Sequence, residues 1–87
     1  IMIDPFLFYR HYEFELPDNV AQELKITTPE QVVVRAIVTI RDKLESSTIN
    51  LVAPIIINAE ARLGRQVVLD KSAYTTRHPL FAAERNR

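Results

Sequence analysis

The sequence predicts a mainly β domain of antiparallel strands with one short helix, and three features carry that prediction. Tyr12-Glu13-Phe14-Glu15-Leu16 alternates between apolar and acidic residues, the period of a strand with one face in a core and the other in water. Val32 to Arg41 places Val32, Val34, Ala36, Val38 and Ile40 on a wholly apolar face, with Val33, Arg35, Ile37, Thr39 and Arg41 on the other, as a long central strand would. Ile49 to Asn58 and Gln66 to Leu69 flank a turn at Glu60 to Gly64, which holds the only glycine and therefore the residue best suited to a positive φ; the two runs around it read as a hairpin.

The remaining elements follow in chain order. Asp4-Pro5 opens a turn, because Pro5 fixes its own φ and pushes Asp4 out of the α region. Phe6 to Tyr9 form an aromatic cluster fit for one helical turn or an irregular crossing. Pro17-Asp18 ends the first strand, and Asp18 reads as the N-cap of a helix over Asn19 to Lys25 whose Val20 and Leu24 share a face. Thr28-Pro29-Glu30-Gln31 fits a capping box, but the β-branched Val32-Val33-Val34 allows only one turn before a strand begins. Asp42 to Thr48 is a polar loop. Pro54 cannot donate to a ladder, so it marks an edge, a bulge or a break inside Ile49 to Asn58. Residues 71–81 read as an extended stretch with anchors, completing a domain over 1–81, and 82–87 as a loose C-terminal tail.

Composition narrows the function. A chain of 87 residues, 47% hydrophobic and 25% charged, has the make-up of one globular domain. Net charge is zero, which gives no global field for nucleic acid or an anionic membrane. The balance hides an asymmetry: residues 1–60 hold nine acidic and five basic residues, and residues 61–87 hold two acidic and six basic. The absence of cysteine rules out thiol chemistry and thiolate metal sites and fits a reducing compartment, so a cytoplasmic location is expected. No apolar run approaches the roughly 18 residues of a membrane span.

Catalytic chemistry finds little support. His11 and His78 are far apart and neither shares a metal-binding spacing with a carboxylate, so neither a metal nor a cofactor is expected. Ser46, Ser47 and Ser72 sit in polar loops and read as solvated turn residues. Glu13 and Glu15 share a strand face, but acid–base work requires one carboxyl to be desolvated, and exposed strand carboxylates fit better. One glycine cannot build a phosphate-cradling loop. Asn50 and Asn58 flank an apolar run and must find hydrogen-bond partners, either in local loop bracing or in a partner's backbone. His78, in Arg77-His78-Pro79, offers a ring for stacking or hydrogen bonding. The cationic and aromatic groups Tyr74, Arg77, His78 and Phe81 leave a small RNA-binding module as the alternative, although they do not form a strand-borne stacking platform.

Taken in order, Asp4-Pro5-Phe6, Tyr12 to Pro17, Ala36-Ile37-Val38-Thr39-Ile40, Ser47-Thr48-Ile49-Asn50-Leu51-Val52-Ala53-Pro54-Ile55-Ile56-Ile57-Asn58 and Tyr74-Thr75-Thr76-Arg77-His78-Pro79-Leu80 resemble the FliW family. The resemblance implies an antiparallel β-barrel-like fold, with the strands that precede Asp4-Pro5 in the family absent from these residues or supplied by another chain or segment. It also implies a non-enzymatic partner-switching protein that binds flagellin and the translational repressor CsrA, relieving repression of flagellin translation without touching nucleic acid or membrane. Asn50, Pro54 and Asn58 around the strand break, with Tyr74, Arg77 and His78, are the expected partner-binding residues. The acidic pair Glu13 and Glu15 forms a second candidate surface for a basic helix or tail.

Overall fold

The structure, a computed structural model, describes residues 1–69 and 73–80. Among the described residues six strands, β1 (Met2–Ile3), β2 (Val32–Thr39), β3 (Thr48–Ile49), β4 (Ile55–Asn58), β5 (Leu63–Gln66) and β6 (His78–Pro79), are joined by one helix, α1 (Asp18–Glu23), and by 3-10 turns at Pro5–Leu7, Pro29–Gln31 and Leu44–Ser46. All pairings are antiparallel, in the order β5-β4-β2-β3-β6, with β1 also on β2. The sheet is antiparallel as the sequence predicts, but it stays open among the described residues.

β2 organises the sheet. The carbonyls of Gln31 and Ile37 accept the N–H groups of Ala59 and Asn50, so β3 and β4 run along one edge of β2, separated by the break at Pro54. β1 takes the other edge, where the Val38 N–H donates to the Ile1 carbonyl. Continuing the register of Met2 on Ile37 and Ile3 on Ala36 would set Pro5 opposite Val34, and a residue with no N–H stops the ladder there.

Two buried clusters lie on one face of this sheet. Tyr12, Ala36, Val38, Ile49, Leu51 and Leu80 form the first, and Val20, Leu24, Ile56, Val67 and Leu69 the second. Phe14, Val34 and Tyr74 pack against both.

Five local expectations are corrected. Tyr12 to Leu16 keeps its alternating burial but joins no ladder among the described residues: the Tyr12 N–H goes to the Tyr9 carbonyl and that of Glu13 to the Tyr74 hydroxyl. Alternation reports which face is buried, not where the backbone bonds go. The N-cap of α1 is Pro17, whose carbonyl accepts from Val20 and Ala21, and Asp18 is the first helical residue, a position in the first turn where negative charge is favoured. The positive φ of the hairpin turn falls on Arg62, at 59°, and not on Gly64, which sits in β5 opposite Ile57. The second strand of the hairpin is Leu63–Gln66 rather than Gln66 to Leu69; beyond it, Val67 and Leu69 donate to Pro54 and Val52, following the broken loop instead of a regular strand. Ser47 is not a solvated turn residue, being 1% exposed with its hydroxyl oxygen accepting from the Arg41 N–H. The readings of Ser72, of Phe81 and of 82–87 as a tail concern positions outside the described residues.

The capping expectation at Thr28 is met on the Gln31 side, whose Oε1 accepts from the N–H groups of Thr27 and Thr28. α1 ends in a Schellman turn: Ile26 N–H bonds Ala21 C=O, Lys25 N–H bonds Gln22 C=O, and Lys25 takes a left-handed φ of 57°.

Candidate partner-binding surface

The segment carrying Tyr74, Arg77 and His78 is fastened to three other parts of the chain. The Thr75 carbonyl accepts from the Leu51 N–H at 3.1 Å, the Leu80 N–H donates to Ser47 at 3.0 Å, and β6 pairs with β3. The Tyr9 hydroxyl donates to the Pro79 carbonyl. Within the segment, His78 Nε2 accepts the Thr75 N–H at 2.9 Å, and the Arg77 N–H reaches Thr75 Oγ1.

Aromatic rings fill the space beneath. Tyr74 meets Tyr12 edge-on at 4.7 Å between centroids, and His78 meets Tyr9 at 5.6 Å and Tyr74 at 5.9 Å. Burial pushes the His78 pKa down and that of Tyr9 up. The Tyr12 phenol, raised further by burial and then by neighbouring Tyr74, donates to the Leu51 carbonyl at 2.7 Å. The rings are engaged with one another, while the Arg77 side chain is exposed and His78 half-buried.

The acidic pair lies beside this segment. Glu13 and Glu15 are exposed, and the Glu13 N–H donates to the Tyr74 hydroxyl at 3.0 Å, so the two predicted surfaces are joined. Next to them runs an apolar trough of about 550 Å³ between residues 12–16 and β2, lined by Phe6, Tyr12, Phe14, Leu16, Val32 and Val34 among others.

The predicted residues at the strand break occupy different settings. Asn50 is half-buried: its Oδ1 accepts the Ala53 N–H at 3.1 Å and bends the chain toward Pro54, which is buried. Asn58 lies 1% exposed beneath α1, with Nδ2 donating to the carbonyls of Leu24 and Lys25 and Oδ1 accepting from Glu60 and Ala61. Both amides are engaged in bracing the chain. Asn50 adjoins the Tyr74–His78 segment through Leu51, whose N–H donates to the Thr75 carbonyl, whereas the Pro54 carbonyl accepts from Val67 and Asn58 is tied to the end of α1. Sequence reasoning missed Tyr9, Tyr12 and Thr75 as the supports of that segment; the signal available was the density of aromatic residues between Phe6 and Tyr12.

Among the described residues, no group of three His, Asp or Glu is placed to hold a metal ion, and no helix is long and apolar enough to cross a membrane. The described residues form an open antiparallel β domain whose polar interior groups brace loops and whose Glu13, Glu15 and Arg77 lie exposed along a segment and its neighbour. The FliW protein family matches residues 1–80, and the chain belongs to that family. It is similar to the flagellar assembly factors FliW of Geobacillus kaustophilus, 44% identical over 81 residues, and Moorella thermoacetica, 48% identical over 82 residues. Each match covers 93% of this chain but only 56% and 52% of the relative, so the chain spans about half the length of these curated relatives. A crystal structure of the flagellar assembly factor FliW superposes with a TM-score of 0.90 at 42% identity, covering 92% of this chain and 57% of that one.

Proposed function

We propose that this chain forms the partner-binding part of a cytoplasmic flagellar assembly factor that engages flagellin and the translational regulator CsrA, and that binding CsrA relieves its repression of flagellin translation. The observation that carries the reading is the fastening of the Tyr74–His78 segment: tied to Leu51, to Ser47 and through the Tyr74 hydroxyl to Glu13, it holds Arg77 and His78 on an ordered support beside two exposed carboxylates. A pre-ordered surface with both charge signs suits association with alternate protein partners and costs little ordering entropy on binding.

Arg77, His78, Glu13 and Glu15 face the partner in this reading, with Tyr74 as their joint; Asn50, Pro54 and Asn58 shape the backbone behind them. The test is a pull-down of flagellin and of CsrA by the full FliW-length protein, repeated with Arg77→Ala and with the Glu13→Lys, Glu15→Lys pair. Retention of at least one partner, weakened by one of these changes, supports the reading; failure to retain either partner sinks it.

A further inference from the structure

The segment over residues 74–80 is held at both ends by backbone bonds, and its crown, residues 76–79, carries the exposed Arg77. The Leu51 N–H fastens the entry at Thr75, and the Leu80 N–H fastens the exit at Ser47. With Thr48 opposite Pro79 and Ile49 opposite His78, Leu80 and Ser47 are a hydrogen-bonded pair of the β3–β6 ladder, and Pro79 and Thr48 are the non-hydrogen-bonded pair beside it. At such a position a residue with no N–H loses no ladder bond, and its carbonyl points away from β3. The Tyr9 hydroxyl meets the Pro79 carbonyl on that outer side.

Tyr9 is itself fixed. Its N–H donates to the Pro5 carbonyl at 2.9 Å, its own carbonyl accepts the Tyr12 N–H at 3.0 Å, and Pro5 is buried at the head of a 3-10 turn. The phenol therefore stands on a braced stretch of chain. Burial raises its pKa, so the hydroxyl keeps the proton that it donates. The same ring meets His78 edge-on, so Tyr9 touches both residues that follow Arg77. The bonds from Thr75 N–H to His78 Nε2 and from Arg77 N–H to Thr75 Oγ1 are internal to the segment: they set its shape but not its place on the domain.

We propose that Tyr9 is the positioning residue of the Arg77 surface, its hydroxyl on Pro79 and its ring on His78 holding the crown in the placement that presents the Arg77 guanidinium to a protein partner. The proposal rests on the function proposed above, in which Arg77 and His78 face that partner. Tyr9 acts through the crown and needs no partner contact of its own. Without the hydroxyl, the carbonyl of the exposed Pro79 turns to water and the fold loses little, but the crown samples more placements and a partner must order it on binding. One net hydrogen bond corresponds to a factor of about two to ten in that equilibrium.

The test compares Tyr9→Phe, which keeps the ring, with the unsubstituted full FliW-length protein by amide hydrogen exchange and by titration with flagellin and with CsrA. In Tyr9→Phe the Thr75 and Arg77 amides exchange about two to ten times faster, and the Kd of a retained partner rises by a similar factor. The amides of Val38 and Asn50, bonded to Ile1 and Ile37 within the sheet, keep their rates. On an Arg77→Ala background the same substitution adds less than about twofold, because the side chain that it positions is gone. Unchanged exchange at Thr75 and Arg77, or equal acceleration at Val38 and Asn50, would overturn the inference, as would a loss of affinity that is the same with and without Arg77. If the unsubstituted protein retains neither partner, the functional reading fails and the presenting role fails with it. A partner bound equally well by Tyr9→Phe leaves that reading standing and sinks the role of Tyr9 alone.

Discussion

Replacing Asn58 with alanine removes a four-bonded clamp between the end of α1 and the β4–β5 turn. The Nδ2 bonds to Leu24 and Lys25 are 2.8 and 3.1 Å long, and the bonds to Oδ1 from Glu60 and Ala61 are 3.0 and 3.2 Å. At about 1 kcal/mol net per bond, the sum is on the order of 4 kcal/mol. Lys25, Glu60 and Ala61 are exposed, so their backbone groups regain water and lower that figure; Leu24 is buried, and its carbonyl loses the Asn58 bond where water does not replace it. The expected loss is about 2–4 kcal/mol, a fall in Tm of roughly 10 °C or more for a domain of this size. Urea unfolding followed by circular dichroism, with m unchanged between the two proteins, reads the difference directly. Asn58→Asp keeps the acceptor side but turns an oxygen toward two carbonyls, and it should destabilise at least as much at neutral pH. A loss below about 0.5 kcal/mol for Asn58→Ala, in the range of ordinary surface changes, would refute the clamp.

Lys25→Gly should stabilise the chain by about 0.5–1 kcal/mol in the same urea assay, because the left-handed φ of 57° suits a residue without a Cβ. His78 accepts the Thr75 N–H only when neutral, and burial holds its folded pKa below the ordinary 6.5. Its stabilisation is therefore complete above 6.5 and lost as pH falls through the folded value; His78→Gln, which can accept the same bond without titrating, should flatten that part of the stability–pH profile measured by thermal melts. Tyr12→Phe should cost about 1–2 kcal/mol by orphaning the Leu51 carbonyl. In the native protein, the phenolate absorbance of Tyr12 should appear on alkaline titration only together with unfolding, since burial and Tyr74 raise its pKa.

Much of the fold was legible because it rests on short-range signals. The β-branched run at Val32, the proline break at position 54 and the Val20–Leu24 spacing each dictate structure within a few residues, and β2, the β3–β4 interruption and α1 follow them. The register of the hairpin was less legible. A lone glycine draws the expectation of a positive φ, but Asn58 Oδ1 gathers the Glu60 and Ala61 N–H groups, reverses the chain early and places the left-handed residue at Arg62. At the candidate surface, Arg77 and His78 were visible as residue types; their supports were not, because the Glu13–Tyr74 and Tyr12–Leu51 bonds join positions 61 and 39 residues apart. No local pattern records such a pairing. The burial of Ser47 had no sequence signal either, since the polar loop around it looks solvated throughout.

The bond from Tyr9 to Pro79 closes a span of 70 positions, and Tyr12 and Tyr74 touch across nearly as many. A chain emerging from the ribosome therefore exposes Tyr9 and Tyr12 long before the residues that roof them exist. Until Tyr74 and His78 arrive, the nascent sheet carries an unfinished aromatic floor, and closure over such a long loop is slow compared with local hairpin formation. The Tyr74–His78 segment thus reports passage of synthesis beyond Pro79: the surface that bears Arg77 is assembled only by a chain that has been made through Pro79 and folded back onto the Tyr9–Tyr12 stretch.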